Sequence, residues 1–187
     1  MERELTLPAG KNELKSLKAG DFVTISGQIF VARDAAHKRL MELISAGKDL
    51  PIDIKGETIY YMGPTPARPG RVTGSAGPTT ASRMDFAAPT LLDMGLSVMI
   101  GKGKRSKEVH EAIVKNGAVY LAAIGGAGAV ISKAIEKSEV VCYEDLGAEA
   151  IHRFTVRDFP ALVLIDSQGN NLYEIGPKQY QTEEQNG

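Results

Sequence analysis

Apolar positions along this chain recur in two rhythms, the every-second-residue alternation of a strand and the three-to-four-residue spacing of a helix. The first clear segment, 21–31 (DFVTISGQIFV), is rich in β-branched and aromatic residues and partly alternates, which predicts a strand. Gly27 in its middle predicts a bulge or a sharp turn. Asp34 is then placed to cap a helix running to Ala46, in which Ala36, Leu40 and Ile44 repeat every four residues and Gly47 provides a stop. Residues 58–62 (TIYYM) predict a short strand, and 83–94 a helix ended by Gly95.

The second half alternates regularly. Strands are predicted over 97–100, 118–123, 139–143, 151–156 and 161–166. Between them, 106–115 predicts a helix with Val109 and Ile113 inward, ended at 116–117, then 125–128 a turn and 129–135 a short helix. The SQGN tetrapeptide at 167–170 is a hairpin-turn signal leading to a last strand over 172–175. Residues 5–17 read as a loosely structured lead-in, so the division is a lead-in over 1–17, one domain over 18–178 and a polar tail over 179–187 expected to be disordered. Strands alternating with helices predict a layered α/β domain with parallel pairing in its core, to which the late hairpin adds an antiparallel element. No internal repeat is visible.

Composition narrows the picture. The 187 residues, 43% of them hydrophobic, suffice for one domain with a sizeable core. A net charge of −1 gives no general affinity for nucleic acid or membrane surfaces. No apolar run reaches membrane-spanning length, and the charged residues 1–18 lack the apolar core of a signal peptide, so a cytoplasmic protein is expected. The single cysteine, Cys142, excludes an intrachain disulfide. It also leaves the chain without the three or four thiolates that an iron–sulfur cluster takes. Its apolar setting (EVVCYE) predicts a buried structural thiol. His37, His110 and His152 are scattered without zinc-ligand spacing.

Candidate chemistry lies in the loops. Residues 63–80 (GPTPARPGRVTGSAGPTT) pack prolines, glycines and hydroxyls between ordered segments, a pattern typical of functional loops and also of linkers. At 33–37 (RDAAH), Arg33 projects from a helix start, either toward a ligand or as a surface arginine beside a capping aspartate. At 77–85 (GPTTASRMD), helix-start N–H groups favour an anion. There Arg83 can add a bidentate carboxylate contact, and Thr79, Thr80 and Ser82 offer hydroxyls; an ordinary capped helix is the plainer reading. At 101–104 (GKGK), Lys102 stands between glycines, but the spacing is not that of a P-loop and a basic surface turn would look the same. The GGAG at 125–128 fails the dinucleotide fingerprint, since Ile131 occupies the third glycine position, and close helix–sheet packing is the better use of these glycines. Two arginines, a lysine and hydroxyls together suit a small dianion.

The pieces GDFVTISGQIFVARDAAHKRL, LPIDIKGETIYYMGPTPARPG, GSAGPTTASRMD, IGKGKRS, VYLAAIGGAGA and DFPALVLIDSQGNNLYEI, in this order, resemble the β region of class I fumarases and the related tartrate dehydratases. The resemblance covers residues 17–175, and GPTPARPG together with GPTTASRMD is its most specific part. It implies a swivelling β/β/α layered domain with a mixed, largely parallel sheet. It implies a partner α subunit carrying a [4Fe–4S] cluster on three cysteines, in an assembly of two αβ pairs, and reversible hydration of fumarate to (S)-malate. Carried over position by position, Arg33 and Arg83 match arginines that bind substrate carboxylates, Lys102 a substrate-contacting lysine, and Thr79 a threonine that moves the C3 proton. A one-residue slip in the match would promote Thr80 or Ser82. Glu149, in LGAEAI, is also family-like but carries no assigned role, and residues 63–80 are expected to be mobile without the partner. The alternatives are the β subunit of an L-tartrate dehydratase or a mesaconate hydratase and, from another class, a non-catalytic anion-binding regulatory module.

Overall fold

The computed structural model describes residues 2–67, 69–124 and 128–176. The predicted turn at 125–128 thus falls largely, and the polar tail over 179–187 wholly, outside the described residues. In chain order the elements are β1 (Glu2–Leu7), α1 (Lys11–Ser16), β2 (Phe22–Val31), α2 (Asp34–Ser45), β3 (Thr58–Tyr60) and a 3-10 turn (Ala81–Met84). They continue with α3 (Ala88–Asp93), β4 (Val98–Gly101), α4 (Lys107–Asn116), β5 (Val119–Ala123), α5 (Gly128–Lys133), β6 (Ile135–Cys142), a 3-10 segment (Glu144–Glu149) and β7 (Ile151–Ile165). Among the described residues no helix is long and apolar enough to cross a membrane.

The seven strands form one mixed sheet, ordered β1-β2-β3-β4-β5-β7-β6, with an additional pairing of β2 with β7. The first five run parallel to their neighbours, and β7 runs antiparallel to β5, β6 and β2. Because β7 bonds β5 along one side and β2 along the other, the strands β2, β3, β4, β5 and β7 close on themselves. Side chains alternate across a strand, so closure sorts the apolar residues into two cores. Val23, Ile25, Ile29, Tyr60, Val98, Ile100, Val119, Leu121, Phe154, Phe159 and Val163 form the inner one. Their neighbours Phe30, Ile59, Tyr61, Met99 and Tyr120 face the other way, against α2, α3 and α4.

Several sequence expectations are corrected. The lead-in over 5–17 is ordered: β1 pairs with β2 over six positions from Glu2↔Phe22 to Leu7↔Gly27, and α1 buries Leu14. Leu5 and Leu7 are only two apolar residues, but they fall on the inner face, where closure gives them a core to enter. The single helix over 83–94 is split. Pro89 has no N–H to donate to the turn before it, so the 3-10 turn ends and α3 starts afresh with proline in its first turn. The two strands over 151–156 and 161–166 are one, β7. Its inward residues are even-numbered through Val156 and odd-numbered from Phe159, because two residues there, one of them Asp158 at φ 51°, bulge out opposite the Ile25/Gly27 step of β2. That change of phase looks like a chain break in sequence.

The strand predicted at 139–143 extends back to Ile135 and forms the sheet edge. After Ile165 the predicted turn forms, with buried Asp166 accepting from the backbone of Gln168 and Asn170. Residues 172–176 are then helical rather than extended, because the Asn171 side chain takes the N–H of Tyr173 as a local turn. Cys142, expected buried, is half-buried, since it ends this edge strand.

Gly27 shows how tightly β1 is fitted. Its φ is +129°, and a Cβ there would stand 2.4 Å from the Leu7 carbonyl oxygen. Gly27→Ala should therefore destabilise the chain by about 1–3 kcal/mol in urea unfolding, whereas Gly176→Ala, with nothing within 4 Å, should be near neutral.

Candidate functional site

Parallel strands present all their carboxyl ends on one edge, and ligands of open parallel sheets collect outside such an edge. Here Arg33 follows β2, Gly63 lies just past β3, and Lys102 follows β4. The ladder continues beyond the strands: Ala32 N–H donates to Tyr60 O and Tyr61 N–H to Ile100 O. Residues 79–81 then take a place among these ends. Thr79 N–H donates to Tyr61 O at 2.7 Å, Ala81 N–H to Lys102 O at 2.9 Å, and Thr80 bridges Lys102 in parallel. Arg83, in the 3-10 turn that follows, reaches back to α2, where its Nε donates to Asp34 Oδ1 at 2.7 Å.

Asp34 therefore does not cap α2, as its position in the sequence suggested. The cap position is Arg33, with no side-chain cap bond, and Asp34 is the first helical residue. Its two oxygens turn outward to the two arginines, Oδ1 to Arg83 and Oδ2 to Arg33 Nε at 3.4 Å. Arg33 is further paired with Glu149, whose Oε1 lies 2.7 Å from Nε while Oε2 accepts the Ala35 N–H at 3.1 Å. Arg33 also packs against Gly63 so closely that a Cβ there would meet its Cδ at 2.9 Å and the Ala148 carbonyl oxygen at 3.0 Å. The loop holding Gly63 is internally tied, with Gly74 N–H on Thr65 O and Ser75 N–H on Thr65 Oγ1.

The structure thus brings Arg33 and Arg83 onto one carboxylate, and Thr79, Thr80 and Lys102 onto adjacent strand ends. Thr80, Ser82, Arg83 and Lys102 are exposed, and Arg33 and Thr79 half-buried, so the group lies on an open face. Three cations and two carboxylates there leave a net positive, anion-seeking surface. Arg33 does lie beside Asp34, as its plainer reading had it, but Asp34 does not cap the helix.

Beneath this face lies a second group that sequence reasoning did not single out. The Arg105 side chain is 0% exposed. Its Nε donates to Asp85 Oδ1 at 2.7 Å, and the neighbouring Ser106 N–H takes the other oxygen. Its guanidinium carbon lies 4.9 Å from the Tyr120 ring centroid and 5.3 Å from that of Tyr61. Burial pushes both phenols well above their ordinary range, so they stay neutral. Arg105 and Asp85 sit inside the quoted segments GKGKRS and TASRMD, but their pairing across 20 positions left no local mark. His37 completes the layer. It is fully buried, stacked edge-on to Tyr61, and its Nδ1 bonds the Arg33 carbonyl oxygen at 2.9 Å. A carbonyl only accepts, so Nδ1 carries the proton. Burial first, with the Arg105 charge adding to it, pushes the His37 pKa down to about 4.

Among the described residues no group of three or more His, Cys, Asp or Glu side chains could hold a metal ion. Cys142 stands by itself, and burial pushes its thiol pKa up, away from a ligating or nucleophilic thiolate. The donor set of this chain does not fit an iron–sulfur cluster.

Two outcomes follow from the buried layer. His37 has a lower pKa folded than unfolded, so the unfolded chain takes up the extra proton between about pH 6.5 and 4. Its contribution is complete above the unfolded value and is lost as pH falls through that window, at up to about 1.4 kcal/mol per pH unit. Urea unfolding of the chain and of His37→Gln, compared from pH 7 to 4, should differ by that slope. Asp85→Ala strands the Arg105 charge and should cost about 3–5 kcal/mol by denaturant midpoint.

Comparison with known proteins gives the family. The family model described as Fumarase C-terminus matches residues 2–176. "Fumarate hydratase class I, anaerobic" of Escherichia coli K12 is 46% identical over 154 residues, which are 81% of this chain and 28% of that protein. "Fumarate hydratase 1, mitochondrial" of Leishmania major is 42% identical over 170 residues, 90% of this chain and 31% of that protein. The chain therefore spans under a third of the length of these fumarate hydratases. "Putative L(+)-tartrate dehydratase subunit beta" of Methanocaldococcus jannaschii is 35% identical over 178 residues, 91% of each chain. A match over nearly every described residue, together with a relative of the same extent, places this chain in the fumarase C-terminus family.

Proposed function

We propose that this chain is the β subunit of a two-chain class I hydro-lyase that reversibly hydrates fumarate to (S)-malate. The observation that carries the reading is the convergence of Arg33 and Arg83 on one carboxylate, beside Lys102 and Thr79, at the carboxyl ends of β2, β3 and β4. A four-carbon dicarboxylate needs a cation at each end, and a guanidinium matches a carboxylate in shape as well as charge. Arg33 and Arg83 take the two carboxylates. Lys102 adds a third positive charge where negative charge builds as the C3 proton leaves. Thr79 exchanges that proton. Its hydroxyl is a weak base, and the neighbouring cations are what make it competent. Among the three hydroxyls Thr79 is half-buried while Thr80 and Ser82 are exposed, which favours Thr79 for a step that requires water to be kept out.

The open face supports a partner. A dianion held on a surface of this kind stays solvated, so the site needs a second wall. In the same reading that wall is an α subunit carrying the [4Fe–4S] cluster, in an assembly of two αβ pairs, and the closed sheet with its helical layer is the swivelling β/β/α domain. A specific observation favours a second substrate. The tartrate dehydratase β relative matches this chain over 91% of each, unlike the longer fumarate hydratases.

The test is anaerobic co-expression with the cluster-bearing chain from the same source, followed by assay on fumarate, malate, tartrate and mesaconate. Hydration of fumarate only when both chains are present is the expected result. Activity confined to tartrate would transfer the reading to the second substrate, and no hydro-lyase activity in a cluster-loaded pair would overturn it. In the active pair, Arg83→Ala should lower kcat/KM by the equivalent of about 2–5 kcal/mol, because one substrate carboxylate loses its partner. Near-normal kcat/KM would remove Arg83 from the site.

A further inference from the structure

The two arginines of the face are not free side chains. Each is held at Nε by carboxylates of the chain itself. We infer that Asp34 is a positioning residue that yokes Arg33 to Arg83, and that Glu149 anchors this yoke to the start of α2. This rests on the function proposed above and adds to it two residues that contact no substrate.

The geometry supports the inference in three ways. First, Asp34 gives one oxygen to each arginine, so the two guanidinium groups stand no further apart than two contacts and one carboxylate. That closeness suits the two ends of one small dianion. Second, a guanidinium has five N–H donors, and occupying Nε leaves the terminal amino groups as the paired donors that recognise a carboxylate. Third, two guanidinium groups this close repel each other. The two carboxylates offset that repulsion and keep the pair assembled before any ligand arrives.

Glu149 comes from a distant part of the chain, 114 positions from Ala35. One of its oxygens lies 2.7 Å from Arg33 Nε and the other accepts the Ala35 N–H, so it ties the arginine to the rigid first turn of α2. On its other side Arg33 packs against Gly63. Rotation of Arg33 is thereby closed off from both directions, while the longer reach of Arg83 is fixed only through Asp34. Among the described residues Asp34 is thus the carboxylate that joins the two cationic ends, with Glu149 holding the Arg33 end.

A positioning role differs from a structural one in acting through its arginine. In the assembled enzyme, Asp34→Asn keeps the size of the side chain but turns an amide N–H₂ toward one of the guanidinium groups. It should lower kcat/KM for fumarate at least about tenfold, with the melting temperature little changed. In the Arg83→Ala background the same substitution should change kcat/KM less than about threefold, since the group it positions is already gone. Glu149→Ala should lower kcat/KM in the same way, and Glu149→Gln, which keeps an acceptor for Ala35 N–H, should recover part of the loss. Additive losses in the double variant, or near-normal kcat/KM in Asp34→Asn, would overturn the inference while leaving the proposed reaction intact.

A second readout needs no turnover. In ¹⁵N-correlated spectra of the full chain, the Arg83 Nε–Hε resonance, assigned by its loss in Arg83→Lys, should sit away from free arginine and exchange slowly with water. In Asp34→Asn it should return toward the free position with the backbone spectrum otherwise unchanged. A resonance that does not move shows that the yoke is absent in solution and sinks the inference. An inactive wild-type pair with an intact yoke would instead count against the proposed reaction.

Discussion

Because β7 runs antiparallel to β2 from Phe22↔Leu162 to Val31↔His152, five strands of the sheet have no free edge among themselves. Everything on the functional face depends on that pairing. Closure gives the parallel strands β2, β3 and β4 an interior to fill and fixes how far each protrudes at its carboxyl end. The Asp158 bulge is the cost of making one 15-residue strand serve both β5 and β2 on one run and β6 and β2 on the other. It re-phases the inward side chains so that Phe154 and Val156 before it, and Phe159 and Val163 after it, all enter the same core.

The outer core has a different task. Phe30, Ile59, Tyr61, Met99 and Tyr120 seat α2, α3 and α4 on the closed sheet. Tyr61 and Tyr120 also flank the Arg105 guanidinium, and His37 stacks on Tyr61. The polar floor of the face is therefore continuous with the apolar packing below it. Tyr61 links the two most directly, since its ring packs in this floor and its carbonyl accepts the Thr79 N–H. A shift of α2 against the sheet would be felt at Thr79 through that one residue.

Much of this was legible in the sequence, and what escaped has a common cause. Strand and helix periodicity located β2, β4, β5, α2 and α4, because their apolar residues obey a local rhythm. RDAAH, GPTTASRMD and GKGK each stood out as candidates for an anion site, because arginine, lysine and helix-start N–H groups carry that chemistry wherever they stand. What local pattern could not give was the partner of each group. Asp34 looked like an N-cap because its sequence neighbours offer nothing else, and only the fold brings Arg83, 49 positions away, to its other oxygen. Glu149 showed no role for the same reason, and Arg105 none at all. β1 was missed because two leucines cannot announce a strand. Their burial is decided by a β2 partner about 20 residues on, and by a core that the strand at the far end of the chain encloses.

The fold sorts its arginines by how hard they are to move. Arg105 is wholly buried against Asp85, and separating that pair would strand a charge in a low-dielectric interior. Arg83 is half exposed, and a pair in that setting contributes at most about 1 kcal/mol. The Arg83 bond to Asp34 is at Nε, so its terminal amino groups stay open to an incoming carboxylate, whereas nothing on the surface can draw Arg105 away. The buried pair below is hard to displace and the exposed pair above is not. In the proposed two-chain reading they suit a face whose outer wall a partner supplies. A deep, closed pocket could not be divided between two polypeptides without exposing its buried charges, but an open cationic face on a buried foundation can. A similar segment occurs within the longer Escherichia coli and Leishmania major fumarate hydratases, and over 91% of the Methanocaldococcus jannaschii chain. In this chain the buried charge pair, Arg105 with Asp85, is formed within the segment itself.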